Sequence, residues 1–153
     1  MQRLTVAAVI LIATMPLLSC AGKRPTDLGV AAGTFAACPA TPNCVSSDAS
    51  DSAHQVAPLQ LAVAPAMAWP AVREFVAAGM PRTAIVTESA DYLHVECRSA
   101  MLGFVDDLEL HLRPGAGIIA VRSASRIGRS DFGVNRSRVE DLRAVLIKRG
   151  IVK

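Results

Sequence analysis

Aromatic residues make up only 4% of the 153 residues, with one Trp, one Tyr and four Phe. So sparse a set counts against a protein that holds nucleic acid by stacking bases on aromatic rings. Charge is also scarce, at 19% against a usual ~25%. With 52% apolar residues the chain is neither disordered, nor a collagen, nor a coiled coil. There is one long hydrophobic run, Leu4 to Leu18, broken by Thr5, Thr14 and Pro16. It is shorter than the ~20 residues a transmembrane helix needs, which excludes a multi-span membrane protein. Chemical motifs are missing as well. There is no Cys-x-x-Cys pair, no Gly-x-Ser-x-Gly elbow and no phosphate-loop pattern. A serine is a nucleophile only when a base is placed for it, and nothing in the sequence assembles such a pair.

What is present begins with the leader. Arg3 precedes the apolar run, as in a secretory signal. The run ends in Leu17-Leu18-Ser19-Cys20, which resembles the bacterial lipobox. The resemblance implies a lipoprotein signal peptide over residues 1–19, cut before Cys20, and palmitate-type acylation of Cys20. Several chains on one residue anchor well, because each buried CH₂ contributes ~0.8 kcal/mol. The alternative is a plain signal peptide or a single membrane anchor. The expected location is the cell envelope, lipid-anchored on the periplasmic side. The outer membrane is favoured, because Ala21-Gly22 brings no acidic residue. Residues 20–37 read as the lipidated N-terminus and a tether, and residues 38–153 as a single domain.

Three further cysteines follow. Cys38 and Cys44 end a short loop stiffened by Pro39 and Pro42, so a disulfide is expected in an oxidising compartment. Two separate thiols are the alternative, and zinc has no paired motif to support it. Cys97 falls on an apolar strand face and reads as an inert core thiol.

Residues 38–60 are rich in turn formers and read as an ordered loop, with His54 as a surface or capping histidine. Trp69, Val72, Phe75 and Val76 predict a helix over Pro65–Ala78, with Pro70 in its first turn and Gly79 and Pro81 as its stop. The period then changes to two. Strands are predicted at Thr83–Glu88, Tyr92–Arg98, Phe104–Leu112 and Ile118–Ser123, with a turn at Pro114–Gly117. A second helix is predicted over Asn135–Arg149. Alternation with one wet face predicts an α+β fold. It would be a small antiparallel sheet of three to four strands in a meander, with two helices packed on one face.

Charge is unevenly placed. Residues 20–121 carry six basic and ten acidic groups, and residues 122–153 nine basic and three acidic. The stretch Arg122–Arg138 is densest, with five arginines, four serines, Asp131 and Asn135. Guanidinium groups, hydroxyls and backbone N–H groups near a helix N-terminus are what an anion site needs. A polar network that pins the loop to the sheet is the plainer alternative. Asp106 falls on the apolar face beside Phe104 and Leu108, where a carboxylate must be paired, and Arg126 or Arg136 is the expected partner. Asp107, Glu109 and His111 alternate on the polar face, with His94 and Glu96 alongside. Arg98, Arg113 and Arg122 share that face, so cross-strand salt pairs explain the pattern better than a metal. No metal site or cofactor is expected.

Cys38-Pro39, Pro42-Asn43-Cys44-Val45-Ser46-Ser47, Gly103-Phe104-Val105-Asp106-Asp107, Arg122-Ser123-Ala124-Ser125-Arg126, and the series Gly128, Ser130-Asp131, Gly133, Asn135-Arg136, Arg138 occur in one order. Together they resemble the family called domain of unknown function 1499, over about Gly29 to Arg149. The resemblance implies a domain of bacterial envelopes and plastids with no established activity, whose motif residues form one unit. Cys97 is outside that pattern.

The expected function is an uncharacterised envelope lipoprotein acting as a binding module for a small anionic or envelope-derived ligand, or for an envelope protein. Asp106, Asp107, Arg122, Ser123, Ser125, Arg126, Ser130, Asp131, Asn135 and Arg136 are the expected binding residues. No catalytic residue is assigned. The other partner is the membrane, through the anchor, and nucleic acid is not expected. The alternatives are a hydrolase acting on an envelope component, with Asp106, Asp107 or His54 as base, and a structural or assembly factor without a ligand.

Overall fold

The computed structural model describes residues 21–153. The leader over 1–19 and the acylation of Cys20 lie outside the described residues. A hairpin comes first, β1 (Val30–Ala31) and β2 (Thr34–Phe35), turning through Ala32 and Gly33, both at positive φ. That is the backbone a two-residue hairpin turn of matching twist requires. Then follow β3 (Cys44–Ser46), β4 (Leu59–Gln60), helix α1 (Pro65–Glu74) and a π-helical turn at Phe75–Gly79. Three strands come next: β5 (Thr83–Glu88), β6 (Tyr92–Arg98) and β7 (Val105–Arg113). A 3₁₀ turn at Pro114–Ala116 leads into β8 (Ile118–Ser125), and helix α2 spans Val134–Lys148.

The expected sheet of three to four strands with two helices on one face is corrected. The main sheet has six antiparallel strands in the order β3-β8-β7-β6-β5, with β4 pairing the same edge of β8 as β3. A second, two-stranded sheet precedes it. Strand is therefore the larger component. The missing strands lay in the segment read as loop. β3 and β4 are three and two residues long, too short to show a period among so many turn formers. Their backbone groups are nonetheless satisfied on β8, with Cys44 opposite Ala124 and Leu59 opposite Ile119.

Alternate residues of each strand supply the core. Leu93 and Val95 of β6, Leu108, Leu110 and Leu112 of β7, and Ile119 and Val121 of β8 are buried together. The helices meet them with Trp69 and Val72 of α1, Val76 of the π turn, and Val139, Leu142 and Leu146 of α2. Those spacings bring one helical face to the core. Pro70 lies inside α1 rather than in its first turn, so the Ala66 carbonyl lacks its usual donor four residues on. Gly79 ends the π turn where a Cβ would overlap the Phe75 ring.

The opposite face of the sheet is not wet. His94, Glu96, Asp107, Glu109 and Arg122 are all buried. The segment read as a tether lies across them. Arg24 donates to Glu96, the Gly29 N–H donates to Glu109, and Phe35 packs edge-on against His111 at 6.2 Å between centroids. Phe35 N–H also donates to Asp48, which forms a two-point pair with Arg113 at 2.7–2.8 Å. Alternation marks which residues share a face; it does not reveal a distant segment that covers it.

Candidate functional site

Successive strand residues point to opposite faces, so the Asp106-Asp107 pair divides between two networks. Asp107 lies on the charged face. Arg126 donates to it twice, Nε to Oδ2 at 2.9 Å and Nη2 to Oδ1 at 2.6 Å, and His94 Nε2 is 2.7 Å from Oδ1. Burial opposes ionisation of Asp107, yet the bonds from Arg126 and His94 hold its carboxyl below the usual carboxylate range. The bond from Asp107, followed by that from Glu96, pushes the Arg126 guanidinium further up.

Glu96 gathers three arginines: Arg24 at 2.6 Å, Arg126 at 2.7 Å and Arg98 at 3.0 Å. Burial alone would raise its carboxyl, but hydrogen bonds from Arg24 and Arg126 outweigh it and bring it to about 2. Glu109 is fully buried and accepts from Gly29 N at 2.7 Å, Tyr92 OH at 2.8 Å and Arg122 Nη1 at 2.8 Å. Burial, and then the charge of Glu109, push the Tyr92 phenol upward, so it stays a donor. The bonded network thus holds the guanidiniums of Arg24, Arg98, Arg122 and Arg126 against the carboxylates of Glu96, Asp107 and Glu109. One charge is in excess, and it is positive.

A cleft of about 260 Å³ opens onto this network. Asp107, Arg122, Ser125 and Arg126 line it, with Pro25, Asp27, Ala37 and Pro39 forming its outer wall. Arg122 Nε is buried and has no hydrogen-bond partner. Four of the residues expected to bind a ligand therefore meet here. A larger groove, about 440 Å³, lies between the π turn and α2, lined by Phe75, Met80, Cys97, Leu142 and Val145 among others. None of the ten expected binding residues lines it. The smaller cleft, lined by two arginines, two aspartates and a serine, is the better candidate for polar chemistry.

The remaining expected residues are elsewhere. Asp106 is on the helix side of the sheet, and its partner is neither Arg126 nor Arg136 but Arg138, at 2.6 Å. Arg138 also donates to Ser123 at 3.0 Å and to Asn135 Oδ1 at 2.6 Å. Asn135 is fully buried; its amide donates to Ser125, to Asp131 and to the Asn43 carbonyl. Asp131, two residues before the Gly133 N-cap, accepts from the N–H groups of Gly133 and of Asn135 in the first turn of α2. Burial opposes its charge, and the Asn135 and Gly133 N–H groups still hold its carboxyl below the usual range. Ser130 accepts from Phe132 N at the surface, and Arg136 donates to the Ala53 and Gln55 carbonyls. His54 sits between Asp51 and the Thr41 carbonyl and binds the disulfide loop to the next turn.

The disulfide Cys38–Cys44 is present, and Cys97 is free and buried. Burial pushes the Cys97 thiol up to about 11. Sequence reasoning missed Arg24 and Gly29, since small residues around a lone Arg carry no signal for a distant contact. It also left Asn43 and Arg138 outside the site, although both stand in the quoted motifs.

These motif residues knit β3, β7, β8 and α2 into one unit. The chain belongs to the family described as protein of unknown function (DUF1499), whose model matches residues 34–146. The matched span holds both networks but not Arg24 or Gly29. No curated protein and no solved structure matches the chain.

Proposed function

We propose that the protein is a lipid-anchored binding module of the cell envelope that holds a small anionic ligand in the cleft at Arg122 and Arg126. The observation that carries this reading is the cleft itself, whose lining brings the Arg122 and Arg126 side chains together with Ser125. The guanidinium groups of Arg122 and Arg126 suit an oxyanion, and Ser125 adds a hydroxyl to the lining. Asp27 at the rim limits the ligand to one compact anionic group rather than a polyanion. An envelope location is supported by the lipobox-like Leu17–Cys20 and by the disulfide, a bond that persists in oxidising compartments.

The test is thermal unfolding of the full chain in inorganic phosphate. A ligand at about 100 times its dissociation constant adds about 2.7 kcal/mol. Arg122→Lys keeps a cation near Glu109 but removes the guanidinium group from the cleft lining, and it abolishes the shift. No shift in the native chain counts against the reading.

A second reading, a structural or assembly factor, is favoured by a different observation: Arg126, Arg136 and Arg138 are all engaged in internal bonds. It expects Arg126→Ala to unfold the domain and anions to have no effect. A hydrolase finds less support. Asp107 has both oxygens occupied and its proton affinity lowered, the wrong direction for a general base.

A further inference from the structure

One end of the sheet collects apolar side chains that face water. The β6–β7 turn and the segment after β8 leave the sheet side by side: Arg98 is opposite Val105, Asp106 is opposite Ser125, and Arg126 N–H donates to the Val105 carbonyl. On these two loops Met101 is 93% exposed, Leu102 61% and Phe132 97%, with Phe104 and Ile127 also exposed, and Val134 is exposed at the start of α2. Phe132 holds φ at +54°, a conformation that bulky residues avoid, and its ring is presented almost entirely to solvent. Isolated exposed apolar residues are ordinary; five on two adjacent loops, with Val134 opening α2 beside them, mark an interaction surface.

The same end is basic. Lys23, Arg24, Arg82, Arg98 and Arg129 are exposed around it. Arg82 belongs there because its carbonyl accepts from Arg98 N–H. Of the nearby acidic groups, Glu96 is engaged by arginines, Asp106 by Arg138 and Asp131 by the Gly133 and Asn135 N–H groups, while Asp27 and Asp141 are exposed and outnumbered by the basic groups.

Gly22 also lies here. A Cβ on Gly22 would lie 2.7 Å from Ile127 Cγ2 and 2.9 Å from Arg126 Cβ, so residue 22 sits directly against the second loop. In sequence the apolar run ends at Leu18, three residues before Ala21. Whatever holds that run or Cys20 at a bilayer holds this end of the domain within a few residues of it.

We infer that the β6–β7 turn and the β8–α2 loop form a membrane-docking surface. Met101, Leu102 and Phe132 enter the interfacial region of an anionic bilayer, and Lys23, Arg24, Arg82, Arg98 and Arg129 meet its headgroups. The surface fixes the orientation of the domain. The sheet end with the two loops faces the lipid, and the C-terminal end of α2 faces away. It shares Arg24 and Arg98 with the Glu96 network and rests on the lipid-anchored reading above, but not on a ligand in the cleft.

The test uses the full chain reconstituted in vesicles of phosphatidylethanolamine and phosphatidylglycerol with brominated acyl chains, which quench tryptophan within the bilayer. Phe132→Trp reports on the loop. Ile147→Trp, 47% exposed in the last turn of α2, is the control. The native Trp69 is buried and gives the common background. Trp at 132 is expected to be blue-shifted and strongly quenched, and Trp at 147 is not. Adding Arg129→Glu lowers the docked-to-free ratio on the order of fivefold or more. Equal quenching at the two positions overturns the inference. So does shielding of Trp at 132 only when a second envelope protein is added, which makes the surface a protein interface.

Discussion

Arg126 grips both oxygens of Asp107, with Nε at 2.9 Å and Nη2 at 2.6 Å, and the same Nη2 reaches Glu96 at 2.7 Å. A segment that leaves β8 is thereby locked to two central strands through one guanidinium. Removing one partner leaves a buried charge uncompensated. Arg126→Ala is expected to lower stability by about 3–5 kcal/mol, measured by denaturant unfolding. The pair Arg126→Met with Asp107→Leu recovers much of that loss, because no charge is then stranded. A double variant as unstable as the sum of the two single ones contradicts this account of the network.

Acid should weaken the fold. The Glu96 carboxyl lies near 2 in the folded chain against an ordinary 4.5, and those of Asp48, Asp107 and Asp131 are also lowered. A lowered folded-state value gives stability that is fully present above the unfolded value and lost as pH falls toward the folded one. The unfolding temperature is therefore expected to be flat above about pH 5 and to fall between about pH 5 and 2. Glu96 is expected to be the largest single contributor to that loss. In Glu96→Gln the native stability is lower and the acid slope shallower, and an unchanged slope would remove Glu96 from the account.

The bridge Cys38–Cys44 closes a short loop, with a sequence separation of 6. Loop-closure entropy for that length is about 2 kcal/mol. Cys38→Ala with Cys44→Ala is expected to stay folded with a stability lower by that amount. Cys97 is buried with its thiol pushed up, so it should react with thiol reagents only after unfolding. Rapid labelling of Cys97 in the folded chain contradicts its placement in the core.

Asn135 is the hub of the second network, with Ser123, Ser125, Asp131, Arg138 and the Asn43 carbonyl as partners. Asn135→Ala leaves several buried groups unmet and is expected to cost about 3 kcal/mol. Asn135→Asp places a carboxylate beside Asp131 and should cost more. A neutral effect of either substitution, read by thermal unfolding, contradicts the network.

How far the sequence could be read follows from these residues. β5 and β6 were legible to the residue, and α2 within one residue at each end, because long periodic segments declare themselves. Alternation also placed Asp106 and Asp107 on opposite faces. It could not say which arginine reaches which face, because Arg126 lies beyond the strand and Arg138 lies on a helix. β3 and β4 were hidden by their brevity among turn residues. The burial of Glu109 was hidden because its cover comes from Gly29, 80 residues away. The cleft depends on that same cover, since Pro25 and Asp27 form part of its wall.

The most direct test of the ligand-binding account is native mass spectrometry of the full chain, purified gently from the envelope in mild detergent, beside Arg122→Lys. The account predicts an additional small mass on the native chain that leaves on denaturation and is absent from Arg122→Lys. A bare mass in both would contradict it and leave the structural reading of the arginine network in its place.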